Sequence, residues 1–147
     1  MKWSSKEIEI IKLLLQVDTN YVDTPCDTLL NYACACYNIN VDVIKLLIDS
    51  NINIKNYKGN TSLMLACKNI NATAEIIKLL ISSGSNLELQ NNQGNTALML
   101  ACKNSVIKPS IIKFLLNSKY DINIQNNQGN TALMIACKNL SNKPSII

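Results

Sequence analysis

The sequence predicts an all-α solenoid of stacked helix–turn–helix units joined by short, β-hairpin-like turns. The main observation is an internal repeat: residues 89–104 recur 35 positions later at 124–139, with 14 of 16 residues identical. Hydrophobic residues make up 48% of the chain and aromatic residues only 5%, so aliphatic packing must hold the fold together. Self-similarity at a fixed period of this length is typical of arrays in which each unit buries its apolar faces against its neighbours.

The repeats extend over nearly the whole chain. Residues 54–69 match the middle copy at 11 of 16 positions, and a weaker copy begins at Thr24. A second block, rich in Ile and Leu around one Lys, recurs at 9–15, 42–48, 75–81 and 110–116. A single array over 1–147 is therefore predicted, divided into a partial N-terminal repeat (1–23), a degenerate repeat (24–55), two repeats (56–90 and 91–125) and a truncated C-terminal repeat (126–147).

Each unit is predicted to begin with a turn and a first helix. Gly94 and Gly129 end Asn-rich segments, and glycine supplies the positive φ that hairpin tips require. Thr61, Thr96 and Thr131 follow two residues after the tip glycine, where a hydroxyl can cap a helix. Leu, Met and Ala then recur at helical spacing and predict a buried stripe.

The second helix of each unit is predicted to be covered on both sides. Ile76, Ile77, Leu79 and Leu80 make a face too wide for an isolated amphipathic helix. Pro109 is predicted to sit two residues before the second helix of its unit, where a missing backbone donor does no harm.

Composition excludes several kinds of chemistry. The chain has no His, and all 14 basic residues are Lys, so no imidazole base, His metal ligand or Arg clamp is available. Neither paired carboxylates nor a phosphate-binding loop is found, and the single Gly of each turn is not a P-loop. We therefore predict a non-enzymatic protein without metal or cofactor. The longest apolar stretches run six residues, which predicts no membrane span and an intracellular, cytoplasmic location.

Six cysteines favour a packing role over a redox or metal site. Cys34, Cys67, Cys102 and Cys137 occupy one equivalent position. In stacked helices such positions lie about 8 to 10 Å apart, beyond the roughly 7 Å that a disulfide spans. Free cysteine commonly serves as a small buried hydrophobe. Cys26 and Cys36 are instead expected to be exposed.

The units resemble ankyrin repeats. The turn Gly, the following Thr, the Leu two residues on, the paired small residues, the I-x-K-x-L-L helix and Gly84 after it carry the resemblance. It implies a module that binds proteins. Where the family usually has His after Thr-Pro-Leu, this chain has Met64, Met99 and Met134, which pack but cannot donate hydrogen bonds. Cohesion between repeats is therefore expected to be more purely apolar.

Composition and repeat style together resemble ankyrin proteins of large AT-rich DNA viruses, with protists and intracellular bacteria as alternative sources. A viral source implies a host protein as partner. The resemblance also matches Asn53 and Asn123 to the hairpin asparagine that oxygenases hydroxylate in some ankyrin proteins, with Glu88 in its place in the middle repeat.

The resemblance places partner-binding residues on the concave face, beside the turn glycine and at the end of the first helix. Residues 1–55 carry a net charge of −2, and residues 56–147 carry +6. The positive charge of the second segment favours an acidic protein partner there. Binding of nucleic acid or another polyanion through Lys68, Lys103 and Lys138, the lysine row, is the alternative, but Arg is absent and few aromatic residues could stack on bases. The residues expected on this face are Tyr57, Lys58, Asn60, Lys68 and Asn69; Asn92, Gln93, Asn95, Lys103 and Asn104; and Asn127, Gln128, Asn130, Lys138 and Asn139.

Both ends of the array look incomplete. The chain opens on a second-helix block at 7–17 and stops inside an equivalent block at 143–147. Since solenoids need a polar cap at each end, the flank of the helix containing Leu133, Met134 and Ile135 is expected to lie partly uncovered. A fragment of a longer array, or a truncated reading frame, is the favoured interpretation. The alternatives are self-association through the open C-terminal end and fraying of the last repeat.

Overall fold

The computed structural model describes residues 4–15, 28–48 and 52–141, and these contain eight helices and no strand. The all-α prediction is confirmed. Cys26 and residues 142–147, on which some sequence predictions fall, lie outside the described residues. The helices are α1 (Ser5–Leu15), α2 (Leu29–Ala35), α3 (Val41–Leu47), α4 (Ser62–Lys68), α5 (Ala74–Ser82), α6 (Ala97–Lys103), α7 (Pro109–Leu116) and α8 (Ala132–Ser141).

The helices stack in two parallel rows. Helices α2, α4, α6 and α8 pack in sequence to form the first row, and α1, α3, α5 and α7 form the second. Within a unit the two rows touch, because α2 packs on α3, α4 on α5 and α6 on α7. This is the predicted solenoid. Each described helix is too short or too polar to cross a membrane.

The predicted helix starts are confirmed. The Thr61 and Thr96 side chains accept hydrogen bonds from the backbone N–H three residues on, and Thr131 does the same for Met134. The tip glycines have φ of 74° to 76°, a conformation that side chains disfavour. The second-helix block predicted at 7–17 begins earlier, because Ser4 and Glu7 form a reciprocal pair that starts α1 at Ser5.

The predicted position of Pro109 is wrong. Pro109 is the first residue of α7, with Lys108 as its N-cap. The first backbone N–H of a helix has no partner within the helix, so proline is tolerated inside the helix start as well as before it.

Burial follows the repeat except at α8. Of the four apolar residues named for the second helix, Ile76, Ile77 and Leu80 are fully buried, and Leu79 is partly buried. Met64 and Met99 are each 1% exposed, so both pack in the core. On α8 the equivalent side chains emerge: Leu133 is 74% exposed against 4% for Leu98, and Met134 is 48% exposed. The expected uncovered flank is present at Leu133 and Met134, whereas Ile135 of the same helix is buried at 6% exposure.

The expectation that cohesion between repeats would be more purely apolar is wrong, because side-chain amides bond the units to one another. Asn69, Asn104 and Asn139, here called the asparagine ladder, each follow the lysine of a first helix and reach into the preceding unit. Asn69 Nδ2 donates to the carbonyl oxygens of Cys34 and Cys36 at 3.0 and 2.8 Å. Asn104 Nδ2 donates to Cys67 at 3.2 Å, and Asn139 Nδ2 donates to Cys102 at 2.7 Å. The ladder therefore supplies the polar joint that the methionines cannot.

The hairpin tips, residues 56–60, 91–95 and 126–130, are also bonded to one another. Asn91 Nδ2 donates to Asn60 Oδ1 at 2.8 Å, and the equivalent bond from Asn126 to Asn95 is 2.9 Å long. Backbone bonds run beside them, from Asn92 N to the carbonyl of Lys58 at 3.1 Å and likewise from the third tip to the second. Side-chain amides thus join every described pair of tips.

Asn53 forms a further joint. Its Nδ2 donates to the carbonyl of Gly84 at 3.1 Å, and its Oδ1 accepts from the backbone of Asn86 at 2.8 Å. One unit later, Glu88 Oε1 accepts from the backbone N–H of Asp121 at 3.2 Å. The Glu88 carboxylate therefore accepts a hydrogen bond from the next unit, as the Asn53 amide oxygen does. Hydroxylation of Asn53 or Asn123 stays a prediction.

Candidate partner-binding groove

A groove of about 720 Å³ lies between the 56–90 and 91–125 units, on the side of the tips and the first helices. Its floor includes Leu100 of α6, which is 5% exposed. Three lysines and no carboxylate lie along it, so the lining carries three positive charges and no negative one. The lining residues are Tyr57, Lys58, Asn60, Lys68, Asn91, Asn92, Gln93, Leu100, Lys103, Asn104 and Ser105.

Lys68 and Lys103 enter the groove from the ends of α4 and α6. Each is the last residue of its helix, where a cation is stabilised by the partial negative charge of the unpaired carbonyls. Both side chains are exposed, and no carboxylate of the described chain pairs with either. Their ammonium groups are available to a ligand.

Lys58 is held by its neighbour. Its ammonium lies 5.4 Å from the centre of the Tyr57 ring, a cation–π distance. Tyr57 is 67% exposed and presents a large apolar face at the mouth of the groove. The other two described tips have Asn92–Gln93 and Asn127–Gln128 at these positions. Among the described tips, the one in the 56–90 unit is therefore the one that places an aromatic and a cationic residue beside the groove.

Eight of the residues predicted for the concave face line the groove, and the structure adds Asn91, Leu100 and Ser105. Asn91 and Leu100 lie at repeated positions that the sequence assigns to the turn and to the core. Nothing in the sequence marks them as groove residues rather than as ordinary members of those positions. Seven predicted residues do not line the groove: Asn69, Asn95, Asn127, Gln128, Asn130, Lys138 and Asn139. Partner binding by the predicted residues stays a prediction.

Several of the predicted residues also hold neighbouring units together. Asn60 and Asn95 are only 2% and 1% exposed, and each accepts a hydrogen bond from an asparagine of the next tip. Asn69, Asn104 and Asn139 use their amide donors in the ladder. Repetition of a polar residue at one position can thus report contact between units as well as a binding surface.

Lys138 differs from the other two members of the lysine row. Its ammonium donates to Asn130 Oδ1 at 3.0 Å within its own unit. Lys68 and Lys103 are the members that share the groove. The groove therefore holds a local cluster of Lys58, Lys68 and Lys103 rather than the whole lysine row.

The repeated cysteine position, held by Cys34, Cys67, Cys102 and Cys137, is buried at its N-terminal end and exposed at its C-terminal end. Cys34 and Cys67 are fully buried, Cys102 is partly buried, and Cys137 is exposed together with Cys36. The expectation that the repeated position would bury its cysteine is wrong for Cys137, whose helix has an uncovered flank. The five cysteines of the described residues are free thiols, and no cluster that could hold a metal ion occurs among those residues.

Thiol reactivity should follow this gradient. Burial raises the pKa of Cys34 to about 12 and raises the pKa of Cys67 further. Because the thiolate is the nucleophile, a thiol reagent added to the folded protein should modify the exposed Cys36 and Cys137 and leave the buried Cys34 and Cys67 unreacted. Six thiols should react in urea. A stoichiometric disulfide or bound zinc would contradict this prediction.

Comparison with known proteins agrees with the stacked architecture. A family model described as ankyrin repeats, in three copies, matches residues 2–81 and again 63–147. No curated protein sequence is similar enough to this chain to be matched with it. The two matches together span nearly the full sequence, and the chain belongs to the ankyrin repeat family.

Proposed function

We propose that the protein is an interaction module whose groove binds an acidic segment of a partner protein. Ankyrin repeats are protein-interaction modules in general. The observation that carries the specific proposal is the convergence of Lys58, Lys68 and Lys103 on a groove without a carboxylate. Complementary charge steers association and favours the correct partner over neutral or basic ones.

The groove suits a peptide segment in shape and chemistry. Leu100 and Tyr57 offer apolar contact, while Gln93 and the lysines offer polar contact at the rim. These features support binding as the activity of this surface.

The setting of the interaction is part of the proposal. Free thiols throughout the described chain favour a reducing, intracellular compartment such as the cytoplasm. The composition resembles that of viral ankyrin proteins. The partner of a viral ankyrin protein would be a host protein, and we include this in the proposal. Self-association is a competing use of the exposed Leu133 and Met134, and light scattering of the purified chain distinguishes it.

Photo-crosslinking in the native cell tests the proposal. A photoreactive benzoylphenylalanine in place of Tyr57 should capture a defined protein, whereas the same group at Leu116, 49% exposed on the second-helix row, should not. The double change Lys68→Glu and Lys103→Glu should abolish the capture, because it reverses the charge of the groove. Exposed substitutions typically change stability by only about 0.5 kcal/mol each, so the fold should persist.

Lys113→Glu is the matched charge control. Lys113 is exposed on α7, in the second-helix row, and does not line the groove. Capture at Tyr57 should survive this change. Capture of the same proteins at Tyr57 and Leu116, or capture that persists after both groove lysines are reversed, would contradict the proposal.

A further inference from the structure

Asn60 differs from its counterparts in the other units. Asn95 and Asn130 also follow a tip glycine, and their Nδ2 atoms donate to Gln93 Oε1 at 3.2 Å and Gln128 Oε1 at 3.3 Å. The 56–90 unit has Lys58 in place of that glutamine, and an ammonium group cannot accept a hydrogen bond. Within the described chain Asn60 Nδ2 is consequently left without a hydrogen-bond partner.

This unpaired amide lies in the groove. Asn60 is 2% exposed, its Oδ1 is occupied by Asn91 Nδ2 at 2.8 Å, and the side chain is part of the groove lining. The Nδ2 atom is not among the fully buried unpaired side-chain atoms of the described chain, so this donor is open to the groove and can reach an acceptor there. The hydrogen bond to Oδ1 also sets the orientation of the amide group. The direction in which Nδ2 can donate is therefore fixed.

We propose that Asn60 Nδ2 donates to a carboxylate oxygen of a Glu or Asp side chain in the bound partner, a site that rests on the function proposed above. A carboxylate has two oxygens and can accept from the amide and from an ammonium at once. Lys58, Lys68 and Lys103 line the same groove and supply the ammonium groups. A charged acceptor strengthens the bond relative to a neutral one.

A peptide carboxylate fits these residues better than a nucleic-acid phosphate. Tight binding to nucleic acid usually draws on many phosphate contacts along an extended track. Here Lys138 lies outside the groove and donates to Asn130, so the cationic surface is short. A single amide donor among three lysines matches one compact acidic group.

The inference also selects one junction among nearly identical repeats. The 91–125 and 126–147 units carry the glutamine that satisfies their own asparagine. Lys58 therefore does two things in the 56–90 unit: it adds a charge and it leaves Asn60 free. The binding site is created by a departure from the repeat.

Side-chain amide NMR tests the inference directly. The probe is an acetylated and amidated (Gly-Glu)4 peptide, with (Gly-Gln)4 as the matched neutral peptide. Titration of the ¹⁵N-labelled chain with (Gly-Glu)4 should shift the Nδ2 proton resonances of Asn60 and leave those of Asn95 in place. The neutral peptide should shift neither. If (Gly-Glu)4 does not move the Asn60 resonances, or if single-stranded oligothymidylate moves them as strongly, the inference is overturned.

Two variants at position 58 separate the amide from the charge. Lys58→Ala and Lys58→Gln both remove the ammonium, but only the introduced glutamine can accept from Asn60 as Gln93 does from Asn95. The Lys58→Gln chain should bind (Gly-Glu)4 at least about tenfold more weakly than the Lys58→Ala chain, the effect of one charge-assisted hydrogen bond. It should also have the higher urea midpoint, because Asn60 Nδ2 then has a hydrogen bond within the free protein, as Asn95 has.

Equal affinities of the two variants would refute the role of Asn60. That result would leave the proposed function standing if crosslinking at Tyr57 still captures a partner that depends on Lys68 and Lys103. Loss of groove-dependent capture would refute the proposed function instead.

Discussion

Replacing Gly94 with alanine should destabilise the array much more than replacing Gly129. The two glycines have nearly equal φ, 74° and 75°, so the intrinsic strain of an alanine is the same at both, about 1–2 kcal/mol. A Cβ at Gly94 would lie 2.6 Å from the backbone nitrogen of Asn127 in the next tip, whereas a Cβ at Gly129 would meet nothing within 4 Å. Displacing that tip should add about 1–3 kcal/mol.

Equilibrium unfolding in urea, followed by circular dichroism, measures this difference. The pair isolates the packing of one tip against the next, because conformation and substitution are identical. Gly59→Ala should resemble Gly94→Ala, since its Cβ would lie 2.7 Å from the Asn92 nitrogen. Equal losses for Gly94→Ala and Gly129→Ala would mean that tip packing contributes nothing to stability.

Replacing Asn69 with aspartate should cost about 2–4 kcal/mol although the two side chains have the same shape. Asn69 Nδ2 donates to the carbonyls of Cys34 and Cys36, and aspartate would place a negative oxygen against both. Its other oxygen would still accept from the backbone of Asn71. The loss therefore reports the joint between two repeats rather than the local turn.

Acid should reduce this loss. Carbonyl oxygens disfavour a carboxylate, so the folded state raises the pKa of the introduced aspartate above its unfolded value. A raised acid pKa means that the variant is relatively more stable at low pH and less stable as the carboxyl ionises. Asn123→Asp is the control, because Asn123 is exposed and its amide makes no hydrogen bond in the described chain. A similar loss in both variants would show that added charge, not the lost donor, is responsible.

Periodicity is sufficient to predict the architecture. Helix positions follow from the apolar stripes, and helix starts follow from Thr61 and Thr96, because hydroxyl caps and tip glycines act within a few residues of chain. The misplacement of Pro109 has the same local origin, since proline is compatible with positions on either side of a helix start.

Joints between units are harder to predict. Periodicity does not show which way an amide points, so the recurring Asn69 and Asn104 are predicted on a binding surface although their donors are used within the stack. A usable signal is present: asparagine recurs at one fixed position in the α4, α6 and α8 units, whereas a compositional bias would scatter it. The free amide of Asn60 can be recognised only once the partners of Asn95 and Asn130 are known.

The direction of the asparagine ladder bears on how such a chain can evolve. Every ladder donor lies about one repeat length from its acceptor, as Asn104 does from Cys67 and Asn139 from Cys102. An in-frame tandem duplication of one repeat copies a donor and an acceptor together, so the new junction is bonded as soon as it arises. Gain or loss of a whole repeat by recombination therefore leaves no amide stranded, and the length of the array is free to vary under selection for the surface it presents.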